Sequence, residues 1–179
     1  VFWTFMFPVL MAFVLGIAGR EEAVPELVHC LKSRHDEPTD ALKSAPLWQS
    51  ALVLLGRVGS KEATPALVDV LSDGEAGLDV LIGAVRSLGR IGDPEAADAI
   101  EALLTRDDLP VIRPLQISTN AAAGAVEEDC RWQLELAAAE TLGRLGRKRP
   151  ELAGKYLDDD RAYVRRYARK VLRELQSEE

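Results

Sequence analysis

The chain has 179 residues, 47 % apolar and 28 % charged, with few aromatics, which suits closely packed helices around one continuous core. Its formal net charge of −7 argues against nucleic acid as a main partner, although residues 144–179 hold 11 Lys or Arg against 7 acids while residues 1–143 hold 11 against 22. Cys30 and Cys130 are far apart and form no C-x-x-C pair, so two unpaired thiols in a reducing cytoplasm are expected rather than a disulfide framework or a zinc site.

The opening stretch VFWTFMFPVLMAFVLGIAG carries no charge before Arg20. A signal peptide needs a basic start, and a membrane span needs about 20 apolar residues without a break such as Pro8. The expected reading is a repeat helix, because LGIAG from Leu15 is followed by LGRVG from Leu55, LGRIG from Leu88 and LGRLG from Leu142. Directly after the second glycine, REEAVPELVHCL, SKEATPALVDVL and DPEAADAIEALL continue alike, which makes this an internal repeat. A helix that is apolar all round is buried on all sides, so the start is expected either to follow further chain or to be covered by a partner.

Ahead of each glycine pair, apolar residues stand in four columns. These are Phe7, Leu47, Val80, Leu134 and Val164, then Met11, Ala51, Ala84, Ala138 and Ala168. Leu15, Leu55, Leu88, Leu142 and Leu172 follow, then Ala18, Val58, Ile91, Leu145 and Leu175. Their spacing puts them on one stripe of an α-helix, here helix A, with a helix B after the glycine turn. The second glycine (Gly19, Gly59, Gly92, Gly146) ends helix A at positive φ, whereas the first (Gly16, Gly56, Gly89, Gly143) lies inside the last turn and implies a close helix crossing. Asp93 and Ser60 are the expected N-caps of helices B, with Pro94 at a first helical position.

Repeats are expected at about 3–33, 45–72, 77–105 and 130–157, with a terminal helix at 160–176 as a cap. The linker HDEPTDALKS leads to Ser44, and Pro46 opens the second helix A. Residues 106–129 are an insertion, extended around Pro110 and Pro114, with AAAGAVEED beginning the next helix early. Asp108 to Gly124 is expected to be the least protected backbone. Both insertions fall between a helix B and the next helix A, so both project from one edge.

Hairpins that cannot bury their stripes alone must stack, which predicts an all-α, right-handed α-solenoid of helical hairpins. On Ala84, Leu88, Gly89, Ile91, Gly92, Asp93, Pro94, Glu95 and Ala96 of the third repeat, and Val164, Arg165 and Ala168 of the last, the chain resembles the HEAT-like repeats of the family named after phycobilisome lyases. The resemblance covers nearly all of the chain outside the insertions. It implies a protein-binding scaffold, with two alternatives: a regulatory C-terminal domain of a larger enzyme, or a phycobilin lyase-like protein that handles a chromophore.

Chemistry-bearing patterns are few. His29, Cys30 and His35 do not share a helical face, and no His-Glu pair of the kind used by HEAT-like di-iron hydroxylases occurs. Nucleophile elbows and phosphate-binding glycine loops are absent from the sequence, so no catalytic residue, metal or cofactor is expected. Helices B present Glu22, Glu26, Glu62, Asp69, Glu95, Asp98 and Glu101 toward a concave groove with few cations beside them, a lining that repels phosphate. The expected partner-binding residues are Glu62, Asp69, Glu95, Asp98 and Glu101, facing a Lys- and Arg-bearing protein or upstream domain, together with Arg165, Arg166 and Arg169 on the outer face of the last helix. Trp48 and Trp132 are expected to pack between repeats, and the apolar first helix to promote association.

Overall fold

A computed structural model of the chain describes residues 2–33, 47–115 and 126–177, and side chains from residue 9 onward within the first helix. Four helical hairpins follow one another: α1 (Phe2–Ile17) with α2 (Val24–Lys32), α3 (Leu47–Val58) with α4 (Thr64–Leu71), α5 (Leu78–Ile91) with α6 (Ala97–Leu104), and α7 (Arg131–Arg144) with α8 (Pro150–Gly154). A last helix, α9 (Ala162–Ser177), closes the series. Helices α1, α3, α5, α7 and α9 pack each on the next to form one layer, and α2, α4 and α6 form the second. This is the α-solenoid of stacked hairpins that the periodicity predicts.

Each hairpin turns where the sequence says it must. Gly19, Gly59, Gly92 and Gly146 have φ of 72°, 78°, 71° and 81°, the left-handed region where a side chain would be strained. A 3₁₀ turn then leads into helix B in the first three repeats. Asp93 Oδ1 accepts the Glu95 N–H at 3.5 Å, while Ser60 stands at the same N-cap position without a side-chain bond.

The core is a ladder of aliphatic side chains between the layers. Leu27 and Leu31 of α2, Leu55 of α3, Leu67 of α4, Leu81 and Leu88 of α5, Ile100 of α6 and Leu134 and Leu142 of α7 are completely or almost completely buried. Burying a side chain of this size contributes roughly 1.5–3 kcal/mol, which is why the columns set the register. Three described column positions depart from expectation: Met11 is 43 % exposed, Leu47 is 47 % exposed, and Ala18 is exposed as well. Among the described side chains of α1 the buried positions are Ala12 and Gly16, one residue on from Met11 and Leu15, because Gly16 sets the contact with α2 and α3. The side chain of Phe7, and those of Phe2, Trp3 and Phe5, lie outside the described residues, as do Pro46 and the linker from residue 34.

The first glycines are the crossing points. A Cβ on Gly56 would meet Ser87, one on Gly89 would meet Thr141, and one on Gly16 would lie 3.1 Å from Leu27 Cδ1 and 3.3 Å from Leu54 Cβ. Ser87 Oγ donates to the Leu52 carbonyl at 3.0 Å and Thr141 Oγ1 to the Val85 carbonyl at 3.2 Å. Both acceptors stand four residues before a crossing glycine, so the same bond recurs at the next step of the array.

The insertion corrects the sequence reading. Val126–Asp129 is a strand rather than an early start of α7, and it pairs antiparallel with Ile112–Leu115, Ile112 opposite Asp129 and Leu115 opposite Val126. A two-stranded hairpin tolerates Pro114 because each strand is an edge strand. Its base is packed: Leu109 and Val111 are buried, and the Val111 carbonyl accepts the Cys130 N–H at 2.8 Å. Thus Leu109 and Val111, within the stretch expected to be the least protected, belong to the core, while residues 116–125 lie outside the described ones.

Candidate functional site

Because helices B alternate buried Ala, Leu and Val with outward carboxylates, α4 and α6 place Asp69 and Asp98 on their exposed side, and the 3₁₀ turns that lead into them place Glu62 and Glu95 there too. Glu62, Asp69 and Glu95 are exposed and make no ion pair among the described residues. Asp98 and Glu101 are not free in the same sense, and the expectation of few cations beside them is corrected. Arg147, in the turn between α7 and α8, pairs with Asp98 and reaches Glu101 Oε2 at 3.1 Å, and Arg149 stands 3.7 Å from Glu101 Oε1. The Asp98 carboxylate raises the Arg147 pKa first through the hydrogen bond and then through its charge. Arg147 follows Gly146 directly, so the turn that ends α7 aims it at the neighbouring α6; the sequence placed this arginine in a basic tail and gave no sign of that reach.

The three arginines expected on the last helix separate into two roles. Arg165 turns back, its Nη1 donating to the carbonyls of Asp159 and Asp160, so it closes the turn before α9. Arg166 and Arg169 are exposed and line a shallow groove with Leu172, Arg173 and Gln176.

A third region was not legible beforehand. Arg161, just before α9, holds Asp159 through both carboxylate oxygens at 2.8 Å and Glu128 of the strand Val126–Asp129 at 2.6 Å, while Tyr163 donates to Glu128 at 2.8 Å. Hydrogen bonding to Arg161 lowers the Asp159 pKa to about 2 and lowers that of Glu128 as well. Arg161 also lies 5.8 Å from the Trp132 ring centroid, and Tyr163 meets that ring edge-on at 5.6 Å. Trp132 thereby packs between repeats as expected. On the other strand Arg113 pairs with Asp79 at 2.6 Å, beside a groove that Trp48 and Gln49 help to line. The β-hairpin is therefore fastened across the starts of α5, α7 and α9. Glu135 of α7 is the one buried carboxylate of that helix, bonded by Lys155 at 3.1 Å and by the Tyr156 hydroxyl at 3.0 Å, and desolvation pushes the Tyr156 pKa up.

Among the described residues no group of His, Cys, Asp and Glu is placed to hold a metal ion, and His35 lies outside them. No helix among them is long and apolar enough to cross a membrane.

The family model for HEAT repeats matches residues 43–115, which span the second and third hairpins and the first strand of the insertion. The same hairpin geometry continues on both sides of that stretch. The chain is built of HEAT-like repeats. Among solved structures, the HEAT-like array is similar to a chain in the complex of CpcE and CpcF of phycocyanin lyase from Nostoc sp. PCC7120, at 24 % identity and a TM-score of 0.62. The alignment covers 94 % of this HEAT-like chain and 59 % of that one, so it spans well under two thirds of the neighbour's length. At that identity the likeness concerns the fold. No curated protein matches the chain in sequence.

Proposed function

We propose that the chain is a non-catalytic protein-interaction module whose acidic helix B face receives a Lys- and Arg-bearing segment of another protein, or of another domain of its own polypeptide. The observation that carries this reading is Arg147, whose guanidinium pairs with both Asp98 and Glu101 at one end of the face. It stands as an internal example of the ligand, while Glu62, Asp69 and Glu95 continue the row and make no ion pair among the described residues. Electrostatics on such a face govern encounter rate and register more than affinity. The fold neighbour is itself part of a two-protein complex, which agrees with a protein partner.

The test uses a fluorescein-labelled helical peptide of Lys, Arg and Ala, followed by anisotropy at low and high salt. The triple reversal Glu62→Lys, Asp69→Lys and Glu95→Lys is expected to abolish binding at low salt, where screening is weak. Binding that survives the triple reversal unchanged removes this face from consideration.

A second reading, handling of a tetrapyrrole in the manner of phycobilin lyases, is supported by the fold likeness alone. Visible absorption after incubation with a bilin tests it: an unchanged bilin spectrum argues against this reading.

A further inference from the structure

The opposite layer carries a feature that the acidic face does not explain. Between α5, α7 and α9 lies a groove of about 390 Å³ whose lining includes Arg86, Arg90, Arg144 and Lys170, in a chain with a net charge of −7. At its floor Glu140 is already satisfied: Arg144 bonds Oε1 at 2.7 Å, Lys170 stands 3.7 Å from Oε1, and the Tyr167 hydroxyl donates to Oε2 at 3.0 Å. Lys170 is shared with Glu174 at 3.2 Å. Arg86 and Arg90 are exposed, make no ion pair among the described residues and lie one helical turn apart on α5, with Arg86 also facing the Tyr167 hydroxyl.

Two guanidinium forks at i and i+4 stand about 5–6 Å apart at their Cβ atoms, and each fork matches a carboxylate bidentately. We propose that this groove is a second docking site, independent of the acidic face, and that it takes an acidic segment of a partner protein through two carboxylates bound by Arg86 and Arg90. Carboxylates fit better than phosphate, because the Glu140 charge on the floor opposes a dianion more than a monoanion. Nucleic acid fits worse still, since it needs a long basic track and the rest of the repeat body is acidic.

The probe is a labelled Ala-rich helical peptide with Glu at i and i+4, measured by anisotropy in about 50 mM salt, where the Debye length exceeds 10 Å. The double variant Arg86→Glu, Arg90→Glu is expected to bind at least about tenfold more weakly, roughly 1.4 kcal/mol. The control Lys32→Glu, Lys148→Glu, at exposed positions outside the groove, changes net charge equally and is expected to keep nearly full affinity. All of these side chains are exposed, and far-UV circular dichroism checks that the helices remain. Equal weakening by the control pair, no binding of the Glu peptide by the unaltered chain, or tighter binding of a phosphoserine version each overturns the proposal.

Discussion

Gly56 and Ser87 touch across the α3–α5 crossing so closely that a Cβ on Gly56 would lie 2.6 Å from Ser87 Oγ and 2.7 Å from Ser87 Cα. The second distance is the decisive one, because a backbone atom cannot swing aside. Gly56→Ala is therefore expected to destabilise the fold by about 1–3 kcal/mol through overpacking, against a gain of at most about 1 kcal/mol in helix propensity. At Gly143 the obstacle is the tip of the Leu175 side chain, which can change rotamer. Urea unfolding should rank Gly56→Ala well below Gly143→Ala in stability; equal midpoints would show that the crossing has slack.

The β-hairpin is expected to depend on Arg161. Replacing it with Ala removes the bonds to Glu128, Asp159 and the Asp129 carbonyl together. Amide exchange in Val126–Asp129 should speed up in this variant while α5 and α7 keep their protection. Exchange confined to the unaltered pattern would mean that strand pairing alone holds the segment.

Acid should loosen the same contact late. Asp159 is held near 2 against an ordinary 3.8, and Glu128 lies below its ordinary 4.5, both chiefly through the hydrogen bond from Arg161. A carboxylate with a depressed folded-state pKa contributes fully above its unfolded value and loses that contribution as pH falls. The hairpin should stay fastened at pH 5 and lose protection progressively from about 4.5 toward 2. In Arg161→Ala this acid dependence should flatten, which exchange measured across that range will check.

On α1 the side chains of Leu10, Met11, Val14 and Ile17 are 53 %, 43 %, 60 % and 58 % exposed. A strip of this kind favours association. Leu10→Gln with Val14→Ser is expected to shift the sedimentation coefficient toward the monomer while Ala12 and Gly16 keep α1 in place. No shift between the two chains would mean that the strip does not drive self-association.

The repeat was readable because glycine is required twice per hairpin for different reasons, and both reasons leave a letter in the sequence. Gly92 is demanded by its φ and Gly89 by the approach of Thr141, and the columns around them report burial. What escaped were the relations between distant side chains. Arg147 reads as one more charge in a basic tail until the fold brings it against Asp98, and Arg165 reads as surface until its bonds to Asp159 and Asp160 are seen. The strands were missed because AAAGAVEED has a helical composition, whereas Val126–Asp129 is decided by its pairing with Ile112–Leu115. Met11 and Leu47 show the limit of column reasoning, since a position is buried only where a neighbouring helix covers it. The groove of Arg86, Arg90, Arg144 and Lys170 is assembled from three repeats, and no single repeat announces it.

The hydroxyls of Ser87 and Thr141 each give their proton to a carbonyl inside the previous helix A, at Leu52 and Val85. Those carbonyls already accept the N–H four residues on, from Gly56 and Gly89, as any helical carbonyl does. Pulling two hairpins apart therefore strands no acceptor, and the released hydroxyl can turn back on its own helix. The joints between repeats come undone without leaving a broken backbone bond behind. Resistance to prying them open comes chiefly from the aliphatic ladder, with exposed ion pairs such as Arg147–Asp98 adding little, and an array joined in this way can be bent by whatever it grips.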